Sequence, residues 1–263
     1  MKNILLGFLF LLFSINDILS QNLIVDKNSI NQYDHDNYVY FNSYNFDGDF
    51  QGNHVNNPPL PDPTDRINLP ETFPILGNQF TIELWVYSEE STLMNNRTFI
   101  GNDANPANND FNRPPMITFN LTHQIGVGFG TGSAGMRKKA NYAMTDDQWY
   151  HIAWSFDGTI SNLYVDGELL ESSDFAAGST PIQVPISIIG RKFIGKIDEV
   201  RIWDLVRDRE QIQAVMNTSL SGDESGLIAY YPMEVNEDWK LIDYSSNENH
   251  ASIVDAEILQ KYS

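Results

Sequence analysis

The chain has 263 residues, 41% of them hydrophobic, with 16 Lys and Arg against 35 Asp and Glu for a formal charge of −19, and it has no cysteine. Such acidity argues against nucleic acid and anionic membranes as partners, since both recruit basic surfaces. Without cysteine there are neither disulfides nor thiol chemistry, so stability has to come from the core and from any bound ion.

The N-terminus carries Lys2, an apolar run from Ile4 to Phe13, and Ile-Leu-Ser20 before Gln21. This run is too short for a membrane span, which needs about 20 apolar residues, and reads as a secretory signal peptide over residues 1–20. The mature protein is therefore expected outside the cell or in its envelope, with no membrane insertion after cleavage. Residues 21–36 are polar and aperiodic and form a leader. With no long polar linker after position 70, one domain is expected over residues 37–255, followed by a tail over 256–263.

A first strand is expected over residues 38–46, running into the acidic, turn-rich stretch Asp47-Gly-Asp-Phe-Gln-Gly-Asn-His54. The prolines that follow lack the ladder donor and keep residues 56–63 out of a central sheet. Phe80, Ile82, Leu84 and Val86 alternate with Thr81, Glu83 and Trp85, the period of a strand whose second face is not an ordinary solvated one. Residues 95–115 read as a long loop, the kind of segment that carries specificity. Short strands follow at 116–119 and 124–129. The Gly-rich turn at 130–135 has no Gly-Lys-Ser/Thr and no strand-to-helix context, so it is not a phosphate cradle. Arg137-Lys-Lys139 reads as a solvated turn. Residues 148–156 form a second long strand, with Ile152, Trp154 and Phe156 on one face and Trp149, His151 and Ala153 on the other. Asp166-Gly167 predicts a tight hairpin between residues 163–165 and 168–170.

In residues 193–204, Val200 and Ile202 alternate with Arg201 and Trp203, and the same period puts Asp198 on the face of Val200 and Ile202. A carboxylate facing the core needs a hydrogen bond, an ion pair or a cation. Ile212, Val215 and Met216 have helical spacing, predicting a short helix over 207–216 that closes one end of the sheet. A late strand spans 227–231, and the segment from Asp243 onward has no assigned role.

Six segments stand in a recognisable order: Phe46-Asp-Gly48, Phe80-Thr-Ile-Glu-Leu-Trp-Val86, Trp149-Tyr-His-Ile-Ala-Trp154, Leu163-Tyr-Val-Asp-Gly-Glu168, Gly195-Lys-Ile-Asp-Glu-Val-Arg-Ile-Trp203 and Gly226-Leu-Ile-Ala-Tyr-Tyr231. Together they resemble laminin-G-like domains of the concanavalin A-like lectin/glucanase superfamily. The resemblance implies an all-β protein, a two-sheet antiparallel β-sandwich of the concanavalin A-like jelly-roll type, with one short helix after the closing strand. The superfamily holds lectins, enzymes and spacers alike, so the fold alone does not assign a function.

Two candidate sites follow. Asp47, Gly48 and Asp49 offer several oxygens within a short span, as calcium requires, and Asp198 could complete the shell; in the resembling family, calcium often sits near one sandwich edge. Alternatively, these aspartates only cap turns. The face carrying Glu83, Trp85, Trp149, His151, Arg201 and Trp203 has the aromatic planes and polar neighbours of a sugar platform. The alternative, that these side chains are packed and Glu83 pairs with Arg201, is favoured. Catalysis is not expected. The Glu-x-Asp-x-x-Glu strand of laminarinase-type members is missing, and Asp198 and Glu199 are expected on opposite faces of their strand, unable to flank a glycosidic bond. Asn96, Asn120 and Asn217 head glycosylation sequons that matter only in a eukaryotic host. The reading is a secreted, non-catalytic module for a carbohydrate or cell-surface glycoconjugate, with a structural calcium. The alternatives are a protein-binding adhesion or scaffold module and an accessory domain of a polysaccharide-degrading enzyme.

Overall fold

A strand with one wholly apolar face has to bury it against another such face, and this chain does so with two antiparallel sheets. The computed structural model describes residues 37–41, 66–88, 97–102, 110–120, 122–193, 195–235, 238, 240–254 and 257–260, with the backbone alone at 37–41, 97, 110 and 257–260. The chain divides into residues 1–34 and 35–263, and every described residue belongs to the second unit. The expected signal peptide, the leader, and Asp47, Gly48 and Asp49 lie outside the described residues.

The elements in order are β1 (Asn37–Phe41), β2 (Arg66–Asn68), β3 (Phe80–Ser88), β4 (Arg97–Gly101), a 3-10 turn (Asp110–Asn112), β5 (Met116–Phe119), β6 (Gln124–Gly130), β7 (Gly135–Ala143), β8 (Trp149–Phe156), β9 (Ser161–Val165), β10 (Glu168–Ser173), β11 (Ile188–Ile189), β12 (Gly195–Trp203), α1 (Arg209–Val215), β13 (Leu227–Tyr231), β14 (Lys240–Leu241), β15 (Ala251–Val254) and β16 (Glu257–Gln260). One sheet runs β10-β9-β8-β3-β12-β1-β16, with β13 also on β12; the other runs β14-β15-β2-β11-β4-β5-β6-β7. Among the described residues no helix is long and apolar enough to cross a membrane.

The core lies between the sheets. Ile82, Leu84 and Val86 of β3, Ile152 and Trp154 of β8, and Ile197, Val200 and Ile202 of β12 face Ile67, Phe99, Ile117, Phe119, Ile125 and Val127 of the second sheet, and each of these is at most 5% exposed. Phe80 meets Trp154 edge-on at 4.8 Å, the arrangement that aromatic quadrupoles prefer. The edges β7 and β10 are joined by Lys138 and Glu171 at 2.8 Å. Asp166 and Gly167 have φ of 51° and 74°, the two positive values of a type I′ hairpin turn.

Several expectations need correction. The segment read as a loop over 95–115 contains β4 and the 3-10 turn. Arg137-Lys-Lys139 is no turn: it lies in β7, whose exposed positions alternate with partly or fully buried ones. Lys138, on the less exposed face, pairs with Glu171 across the edge, so the basic run hides the period. Residues 257–260, read as tail, pair with β1 as β16. Asp243, at the start of the unassigned C-terminal segment, is buried and accepts four hydrogen bonds, from the backbone N–H groups of Tyr230, Ser245 and Asn249 and from the Ser245 hydroxyl. It ties the segment to β13.

The helix begins at a capping box. The Asp208 carboxylate accepts from the Gln211 N–H, and the Gln211 side chain accepts from the Asp208 N–H. A helix this short has few internal bonds to lose. Asp208→Ala is therefore expected to cost about 1 kcal/mol, seen as a lower urea midpoint with an unchanged m-value.

Candidate functional site

The register of β12, β3 and β8 sets their outward side chains in four rungs: Trp203, Thr81 and Ser155; Arg201, Glu83 and Ala153; Asp198, Trp85 and His151; and Lys196, Tyr87 and Trp149. Three of these rungs are covered. Helix α1 lies over the Arg201 and Asp198 rungs, on the face of the sheet rather than at its end as expected, and residues 205–207 cover the Trp203 rung. Ile212 packs with Ala153 and Tyr164 of the sheet.

Polar side chains under the helix hold its C-terminal carbonyls. Trp85 Nε1 donates to Met216 O at 2.9 Å. Arg201 donates through Nη1 to Val215 O at 2.8 Å and through Nη2 to Thr218 O at 2.7 Å. Arg201 Nη2 also meets Glu199 Oε2 at 2.6 Å, and Glu199 Oε1 accepts from the Tyr230 hydroxyl at 2.9 Å. A cation at the negative end of a helix is favourable, and here it is also paired. Glu83 is fully buried and has His151 Nε2 and Arg207 Nε each at 3.4 Å. Burial pushes its carboxyl up, but His151, Arg201 and Arg207 outweigh that and hold it below the usual carboxylate range. Burial likewise opposes the Arg201 charge, and Glu199 and Glu83 more than restore it.

A β-bulge explains Asp198. Between Asp198 and Arg201 the strand advances three residues while β3 advances from Trp85 to Glu83, with Glu199 at φ 50°. One extra residue inverts the alternation. Asp198 therefore lies opposite Trp85 on the outward face, not with Val200 and Ile202 as expected. Glu199, reaching Arg201, serves that same face, so the expectation of opposite faces fails too. Asp198 is 2% exposed, and one of its oxygens accepts from the Glu199 N–H at 2.7 Å.

The face read as a sugar platform is thus brought together but closed. Glu83, Trp85, His151, Arg201 and Trp203 are all at most 1% exposed, and a sugar ring cannot reach them with the helix in place. Trp149 differs, because its rung lies beyond the helix. Trp149, Tyr87 and Lys196 are each partly exposed. The two rings stand 5.6 Å apart at 61°, and Lys196 Nζ sits 4.3 Å from the centre of the Tyr87 ring. The arrangement is a small aromatic corner with a cation on one wall. Tyr87 and Lys196 were missed in the sequence, although Tyr87 continues the alternation of Thr81, Glu83 and Trp85.

The buried cluster sets a pH limit. Because the Glu83 carboxyl is depressed on folding, its contribution is complete above the ordinary value of 4.5 and is lost as pH falls below it. Glu83→Gln strands the buried cations around it and is expected to cost about 3–5 kcal/mol at neutral pH. Denaturant titrations from pH 7 to 3 should also show a shallower acid limb in the variant; an equally steep limb would mean that other carboxylates dominate.

The family model for laminin G-type domains of the concanavalin A-like lectin/glucanases superfamily matches residues 61–213, more than half of the chain. No curated protein gives a significant sequence match. Among solved structures, a Bacteroides ovatus protein provisionally assigned to carbohydrate binding superposes with a TM-score of 0.56 at 20% identity, over 76% of this chain. This chain spans 60% of the length of that protein. The heptameric SAP-like pentraxin of Limulus polyphemus superposes with a TM-score of 0.50 at 13% identity, over 86% of this chain and 94% of its own. With two antiparallel sheets, the helix after the closing strand and the matched segment in agreement, this chain belongs to the laminin-G-type family of the concanavalin A-like lectin/glucanase superfamily.

Proposed function

We propose that this chain is a non-catalytic carbohydrate-binding module that works outside the cell. The observation that carries this reading is the rung of Lys196, Tyr87 and Trp149: of the four tryptophans among the described residues, Trp149 alone reaches solvent, and it does so beside a second ring. Aromatic planes bind the apolar faces of sugar rings while neighbouring polar groups bond the hydroxyls. The superfamily and the likeness to the Bacteroides ovatus protein support the same reading. Binding rather than catalysis is favoured by the burial of Glu83, Asp198 and Glu199, which keeps these carboxylates from a polysaccharide chain.

A structural calcium is part of the proposal, with Asp47, Gly48 and Asp49 supplying oxygens. Among the described residues no group of three or more His, Cys, Asp or Glu could hold a metal. Asp198 would complete the shell that this loop begins.

Trp149→Ala is expected to weaken binding on a polysaccharide array about tenfold or more while costing less than the roughly 3–5 kcal/mol of a buried tryptophan. Unchanged binding would move the site elsewhere. EDTA is expected to lower the melting temperature of the wild-type protein and leave Asp198→Ala unaffected, since a ligand held only by the folded state stabilises it. Identical melting of the wild type with calcium and with EDTA would remove the ion from the proposal.

A further inference from the structure

We propose that residues 205–218 form a strap that opens as one unit while the sandwich stays folded, with the contact between Arg207 and Glu83 as its acid-sensitive latch. Within the strap only Ile212 and Met216 are buried. Ile212 packs in a small cluster with Ala153 and Tyr164, apart from the core between the sheets. Opening therefore uncovers little apolar surface and leaves the core whole. Both ends are fixed. The Asp204 N–H bonds Gly226 O at 2.9 Å, and Leu220 packs against Trp203, Leu227 and Tyr230, so the segment between them is the part that lifts.

What holds the strap down is mostly polar. The Thr81 hydroxyl donates to Leu205 O at 2.8 Å and accepts from the Arg207 N–H at 2.9 Å, while Trp85 and Arg201 hold the carbonyls at the other end. Between these anchors Arg207 lies over the Trp203 ring at 4.0 Å and meets Glu83 at 3.4 Å. The closed state leaves demands unmet: both Glu83 oxygens, Arg207 Nε and His151 Nδ1 are buried without a hydrogen bond. Burial also holds the Arg207 guanidinium below its ordinary range despite Glu83. Water meets these demands once the strap lifts. A helix of seven residues does not persist off the sheet, so the strap opens by melting, and it uncovers Trp85, His151 and Glu83.

Acid acts through Glu83. Facing it are His151 from β8, Arg201 from β12 and Arg207 from the strap. Around these, Glu199 and Tyr230 act on Arg201, Asp208 and Glu224 on Arg207, and Asp166 lies close to His151. In the closed state the positive partners favour the charged carboxylate; in the open state it returns to water and to the ordinary value of 4.5. The charged form thus supports closure fully above 4.5, and that support is lost as pH falls below it. Protonation leaves Arg207 beside Arg201 without the counter-charge beneath it. The pair of Arg209 and Glu168 stands exposed on the rim and adds little.

The test is native-state hydrogen exchange on the full chain, read by mass spectrometry and corrected for the intrinsic rate at each pH. At pH 7 the amides of α1 are expected to be about a hundredfold less protected than those of β3 and β8, with a smaller dependence on urea. Lowering the pH to 3.5 should reduce the protection of α1 about tenfold. Arg207→Met, which keeps an apolar stem over Trp203, should start lower at pH 7 and lose no more than about threefold on acidification. Arg209→Met should behave as the wild type. Exchange of α1 together with β3 and β8, at the same urea dependence, overturns the strap. No acid fall in the wild type overturns the latch, as does a tenfold fall that persists in Arg207→Met or one that is abolished in Arg209→Met.

Discussion

The packing of this sandwich depends on how one guanidinium is satisfied. Arg201 stands on a strand face that an ordinary sheet would turn to water, yet it is buried. It tolerates this because Glu199 neutralises it and because its remaining N–H groups bond the carbonyls of Val215, at the C-terminal end of α1, and of Thr218, just beyond it. The arrangement is reciprocal. The helix shields the charge from water, and the charge holds a helix too short to persist alone. Trp85 adds a third bond to the same end of the helix, and Glu83 balances the remaining positive groups from beneath. Removing any one member leaves the others buried with unmet demands, which is why such clusters are worth more intact than the sum of their pairs.

The bulge at Glu199 makes this geometry possible. Through Ile197, β12 pairs on that side with β1; from Val200 onward it pairs with β13. The extra residue falls between the two partners, where the ladder is interrupted in any case. It turns Asp198 outward and brings the Glu199 carboxylate to Arg201, so a change of strand partner and the assembly of the charge cluster share one irregularity.

Much of this was legible in the sequence, and the exceptions have physical causes. Strands β3 and β8, the Asp166-Gly167 hairpin and α1 carry strong local signals: strict alternation, a turn dipeptide and helical spacing. The bulge carries none, because an inserted residue looks like any other until its partner strand is known, and this misplaced Asp198. Strand β7 was hidden by Arg137-Lys-Lys139, since charge masks alternation when a lysine on the less exposed face pairs with an acid on another strand. The outward face of β3 was recognised as unusual. What the sequence could not reveal was where the helix would lie, and that decides which of its aromatic residues are closed off and which, at Tyr87 and Trp149, stay within reach of solvent.

The pairing of β1 with β16 has a mechanical consequence. Asn37, the first residue of β1, lies opposite Gln260, the last of β16, so the first and last described residues of the sandwich lie side by side. Tension applied through those two points acts across the ladder and meets its hydrogen bonds one after another, peeling them like a zipper instead of shearing them together. Under rising load at that corner, the pairing of β1 with β16 is the first to part.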